Sequence, residues 1–113
     1  MKKGNIMYTL TRREEQVLIS VWHLKESAYL VAIRKYLTDI TGRLWSIGSI
    51  HKPLIILEQN GYLAAYDGEA TPIRGGRSKK IYTVTKQGMA ALTQYKKVND
   101  SLWADFQEVE FGK

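Results

Sequence analysis

The sequence predicts a mainly α-helical domain carrying one small β-hairpin, an α+β fold ordered helix, helix, helix, hairpin, long helix. Three observations lead there. Apolar residues recur at spacings of three and four through three successive windows between Thr11 and Gly61. Two short runs, YLAAY (62–66) and KIYTVT (80–85), alternate as paired strands do. Helical spacing then resumes after Thr85 and continues towards the C-terminus.

The first helix is TRREEQVLISVWHL. Thr11 followed by Glu14 makes a capping box, which satisfies two backbone donors at the helix start. Val17, Leu18, Val21 and Leu24 then form a stripe to be buried. The second, SAYLVAIRKYLTDITG, takes Ser27 as N-cap and Gly42 as its stop. Its inner face holds Leu30, Ile33, Tyr36 or Leu37, and Ile40.

The third helix, WSIGSIHKPLIILEQNGYL, is capped by Ser46 and closed by Asn60-Gly61. Turning it by ~100° per residue gathers Ile47, Ile50, Leu54 and Leu57 on one side and Gly48, Lys52, Ile55 and Gln59 on the other. Pro53 deletes one hydrogen bond and crowds the preceding turn, so a kink or a late helix start is expected. The hairpin follows, with a long tip over residues 67–79 that contains Gly68, Pro72, Gly75 and Gly76. The final helix, KQGMAALTQYKKVNDSLWADFQEVE, spaces Leu92, Tyr95, Val98, Leu102, Phe106 and Val109 at three or four.

Bulk properties narrow the function. A chain of 113 residues, 44% hydrophobic and 25% charged, makes one folded domain. It has no cysteine, which removes disulfides, thiolate catalysis and Cys-based zinc sites. MKKGNIMYTL has no apolar run behind its lysines, and no stretch reaches the ~18 apolar residues of a membrane span, so a cytoplasmic location is expected. His23 and His51 sit on different helices without convergent carboxylates. No metal site, cofactor or catalytic set is expected.

The net charge of +6 is uneven: residues 1–97 carry +9 and residues 98–113 carry −3. A basic body with an acidic tail suits a polyanionic partner for the body. Three helices followed by a hairpin with a basic tip is the layout of a winged helix-turn-helix, whose third helix enters the major groove of double-stranded DNA. On this reading Arg74, Arg77, Lys79 and Lys80 touch phosphates or the minor groove, where guanidinium forks match phosphate oxygens. The bland alternative is that these charges only keep an exposed tip soluble.

Ser46, Ser49, His51 and Lys52 open the third helix, where hydroxyls and backbone amides suit a phosphate. Lys52 and Gln59 point outward towards base edges. Two readings of Ile55 stay open, contact with a thymine methyl or burial against another surface. Tyr29 either donates to a phosphate or packs under the wing, and Arg12 and Arg13 read as a solvated pair.

SIGSIHKPLIILEQNGYL is similar to the recognition-helix signature of PadR-like transcriptional regulators, with Ser46, Gly48, Leu57, Glu58 and Gly61 in register. GGRSKKIYTVTKQGMAAL resembles the family's second signature through Gly75, Gly76, Arg77, Lys80, Tyr82, Thr85, Gly88 and Leu92. GEATPIRGGR resembles a subgroup with a Thr-Pro-x-Arg wing. His51, Pro53 and Ile56 depart from the usual tyrosine, proline position and arginine, and Ile55 replaces a commonly polar residue.

The resemblance implies a bacterial homodimeric repressor that reads a pseudo-palindromic operator and has a single C-terminal helix. It divides the chain into an N-terminal arm (1–9), a winged-helix domain (10–92) and a dimerisation segment (93–113) continuous with the helix starting near residue 86. Tyr95, Val98, Leu102, Trp103, Phe106 and Val109 would form the dimer interface, since an apolar stripe with nothing left to cover needs a partner. A candidate aromatic effector between the C-terminal helices, near Trp103 and Phe106, is the second reading of those rings. The competing function is a winged-helix protein-interaction module acting through Ile55 and Ile56.

Overall fold

A computed structural model describes residues 9–68 and 79–107. The elements run α1 (Arg12–Leu24), α2 (Leu30–Thr41), α3 (Ile47–Gln59), β1 (Leu63–Asp67), β2 (Lys80–Val84) and α4 (Lys86–Trp103), with a single tight helical turn over Lys25–Ser27. The strands pair antiparallel from Leu63 opposite Val84 to Asp67 opposite Lys80. The antiparallel hairpin and the order of helices are those expected.

The capping box forms: Thr11 Oγ1 accepts from the Glu14 amide at 3.1 Å, and Glu14 Oε1 accepts from the Thr11 amide at 3.0 Å. Val17, Leu18 and Val21 are buried. They meet Ile33 and Leu37 of α2 and Ile50, Leu54 and Leu57 of α3 in one core. Leu24 is only partly buried at its edge.

Ser27 does not cap α2. Lys25, at φ 52°, ends α1 and turns the chain into the tight turn, so Tyr29 becomes the N-cap residue. Ala28 is fully buried, and its carbonyl accepts from the Tyr82 amide at 2.8 Å. Ala28 stands at φ −86° and ψ 78°, outside the helical region, so the helix cannot begin there. Gly42, at φ 71°, stops α2 as expected.

Three further expectations are corrected. Ile40 is 66% exposed and Ile47 43% exposed, so neither lines the core. Trp45, between α2 and α3, is buried instead, at 2% exposure. Its indole Nε1 donates to Thr41 Oγ1 at 3.1 Å, and its carbonyl accepts from Arg34 Nε at 2.6 Å. Second, α3 begins at Ile47 directly after Ser46 and runs through Pro53, so its start is not late. Third, α4 stops at Trp103, and Phe106 follows beyond it. Asp105 there adopts φ 65°, and the Phe106 amide returns to the Trp103 carbonyl at 3.1 Å. Val109 lies outside the described residues.

The start of α4 locks to the corner between α3 and β1. Thr85 Oγ1 donates to the Gly61 carbonyl at 2.6 Å and accepts from the Gly88 amide at 3.0 Å. The Thr85 amide donates to the Tyr62 carbonyl at 3.1 Å. Gly61 reaches this corner at φ 78°. The Thr-x-x-Gly stretch of the sequence is therefore a packing joint between the hairpin and α4.

Candidate nucleic-acid interface

The candidate surface is the side of α3 turned away from the core. Ile50, Pro53, Leu54 and Leu57 are buried, whereas Gly48, Lys52, Ile55 and Gln59 are exposed. The two sets lie on opposite sides of the helix at ~100° per residue. His51 is exposed beside the second set. The α1–α2–α3 core thus presents α3 as a ridge with one clean outer face.

Its N-terminus is fixed before any ligand arrives. Ser46 Oγ accepts from the Ser49 amide at 3.1 Å, and Ser49 Oγ donates to the Ser46 carbonyl at 2.7 Å. Both hydroxyls therefore serve the cap. Ser46, which is exposed, keeps its own hydroxyl proton for an outside acceptor.

Basic side chains that sequence reasoning passed over gather next to this end. The Arg43 guanidinium stands 4.9 Å and that of Arg13 5.8 Å from the centroid of the Trp45 ring. Arg13 also lines a shallow concavity with Lys52, Pro53 and Ile56. So Arg13, though exposed as a solvated residue would be, belongs with the start of α3. The available signal was GRLWS, an arginine and a tryptophan immediately before the Ser46 cap. Only the fold brings Arg13 to them.

The hairpin root lies at the opposite end of α3. Lys80 Nζ is 3.4 Å from the Glu58 carboxylate and 5.4 Å from the centroid of the Tyr82 ring. The neighbouring Tyr82 and then Glu58 hold the Lys80 ammonium above the ordinary lysine range. Lys79 Nζ sits 4.3 Å above the Tyr29 ring. The Tyr29 ring, half-buried, thus lies against the side chain at the root of the wing. Arg74 and Arg77 lie outside the described residues.

Along α4, Tyr95 is half-buried, whereas Val98, Leu102 and Trp103, and Phe106 beyond its end, are exposed. Leu10, Tyr62, Ala91, Tyr95, Val98 and Leu102 line a groove of about 700 Å³. Trp103 and Phe106 are not in its lining, and their rings meet edge to face at 5.0 Å. Among the described residues no cluster of three or more His, Cys, Asp or Glu could hold a metal. No helix among them is long and apolar enough to cross a membrane.

This architecture is a winged helix-turn-helix: a three-helix core followed by a two-stranded wing and a long terminal helix. Solved structures with the same arrangement narrow it further. A PadR family transcriptional regulator from Eggerthella lenta is similar at 25% identity and a TM-score of 0.64, over 80% of this chain and 77% of the other. A Streptococcus transcriptional regulator matches at 24% identity and 0.65, over 79% and 82%. RosR of H. salinarum matches at 20% identity and 0.65, over 87% and 81%. The chain has the fold of PadR-type regulators. No family model and no curated protein matches the sequence.

Proposed function

We propose that this protein is a DNA-binding transcriptional regulator that works as a homodimer, with α3 in the major groove and the wing on the backbone or in the minor groove. The observation that carries this reading is the outer face of α3. It is exposed over its whole length, flanked by Arg13 and Arg43 at one end and by Lys80, paired with Glu58, at the other. A helix exposed on one side and bracketed by cations suits a groove walled by phosphates. Similarity to regulators in solved structures supports the same function.

In this proposal Ser46, Ser49 and His51 meet the backbone at the entry of α3, and Lys52 and Gln59 reach base edges. Tyr29 steadies Lys79, and Arg74, Arg77 and Lys80 complete the wing's charge. Dimerisation through Tyr95, Val98, Leu102, Trp103 and Phe106 would bury the apolar side chains that α4 leaves exposed. The operator is then pseudo-palindromic, and repression follows if it overlaps a promoter.

Selection of bound duplexes from a random pool tests the proposal. It predicts an enriched inverted repeat with half-site centres ~10 bp apart. A pool with no enriched sequence even at low salt would favour the interaction-module reading, made on Ile55 and Ile56, of which Ile55 is exposed and Ile56 half-buried.

A further inference from the structure

Ile55 is the one aliphatic side chain in the middle of the outer face of α3. Gly48, Lys52, Ile55 and Gln59 fall within ~60° of one another around the helix axis. Ile55 is 41% exposed, on the side opposite Ile50, Pro53, Leu54 and Leu57. Its neighbour Ile56 is accounted for: it is half-buried and faces Arg13 and Glu14 of α1 across the shallow concavity. Ile47 is exposed too, but it stands two turns earlier, ~12 Å along the axis. Ile55 therefore lies apart from it, between a lysine and a glutamine.

Base edges in the major groove offer hydrogen-bond donors, acceptors and one apolar feature, the methyl on C5 of thymine. Lys52 suits guanine acceptors, and Gln59 suits the paired donor and acceptor of adenine. Isoleucine has no polar atom to offer. Against a polar edge it would displace water without replacing its hydrogen bonds. Against a methyl it removes apolar surface from water on both sides. Its β-branched side chain is also stiff on a helix, so little rotamer freedom is lost on contact.

We infer that Ile55 is a specificity-determining residue that reads the C5-methyl of a pyrimidine, between polar contacts from Lys52 and Gln59. The inference rests on the DNA-reading function proposed above. Thymine and 5-methylcytosine both carry this methyl.

The test uses the full chain and the duplex enriched by selection. If no duplex is enriched, the DNA-reading function falls and takes this inference with it. On an enriched site each thymine is replaced singly by deoxyuridine, which removes one methyl and keeps the pairing. One position per half-site should lose affinity roughly three- to tenfold. That loss should vanish in Ile55→Ala and persist in part in Ile55→Val. If no thymine is sensitive, cytosines are replaced singly by 5-methylcytosine. A gain at one position, absent from Ile55→Ala, then assigns the methylated base as the ligand. Should neither replacement change binding, or should Ile55→Ala keep the same methyl preference, the inference is overturned while DNA reading stands. The base replacements leave the protein untouched, and thermal melting establishes that Ile55→Ala is folded.

Discussion

Lys80 Nζ lies 3.4 Å from the Glu58 carboxylate, joining the root of the hairpin to the last turn of α3. The two elements proposed to hold DNA are thereby tied at one end. The pair is exposed and long, which limits its worth to stability. Its larger consequence is electrostatic, since Glu58 places a negative charge beside the wing. Glu58→Gln should tighten binding to the selected duplex about two- to fivefold at low salt, through release of Lys80 and loss of that charge. Stability should change by less than about 1 kcal/mol. Weaker binding by anisotropy titration, with melting unchanged, would mean that Glu58 orients Lys80 productively.

Gly88 is a packing requirement. A β-carbon there would overlap the Tyr62 carbonyl oxygen and press on Val84 Cγ1 at 2.8 Å. The carbonyl cannot move freely, because it accepts from the Thr85 amide. Gly88→Ala should therefore destabilise the fold by about 1–3 kcal/mol, despite alanine's better helix propensity. Urea unfolding measures it, and an unchanged midpoint would show that the joint between α4 and β1 is loose.

Gly48 behaves in the opposite way. A β-carbon there meets nothing within 4 Å, and the residue stands on the outer face of α3. The fold has no packing use for this glycine, and alanine should stabilise the helix by about 0.5 kcal/mol. The same methyl would stand between α3 and a closely approaching DNA groove. Gly48→Ala should thus raise the melting temperature slightly and weaken operator binding about tenfold, as a mismatched contact does. An increase in stability with full affinity would show that DNA does not approach α3 closely at its first turn.

Most of the fold was legible in the sequence because its signals were local. The Thr11–Glu14 box, the Ser46 cap, the Gly42 stop and the two alternating strands each depend on residues a few positions apart. The misses came from distant contacts. Ser27 does not cap because Ala28 after it is non-helical, at ψ 78°, where its carbonyl meets Tyr82, far along the chain. Ile40 and Ile47 kept helical spacing yet surfaced, and Trp45 between them is buried instead. The end of α4 was read too long because Leu102 and Phe106 extend the periodicity across a break that Asp105 makes in the left-handed region.

The candidate site divides along the same line. The outer face of α3 follows from helical geometry alone, so Lys52, Ile55 and Gln59 were found together. Arg13 joins Trp45 and Lys52 only through the crossing of α1 and α3. Nothing in its own surroundings, TRREE, distinguishes it from a solvated charge.

The salt dependence of binding to the selected duplex tests the central claim most directly. Each phosphate neutralised contributes ~0.9 to the slope of log K against log salt. Replacing Arg74 and Arg77 together by alanine, in both chains of a dimer, should lower the slope by about 3.6 and weaken binding. Lys96→Ala, which removes an exposed lysine of α4 paired with Asp100, should leave the slope unchanged. An unaltered slope and affinity in the double variant would contradict the account.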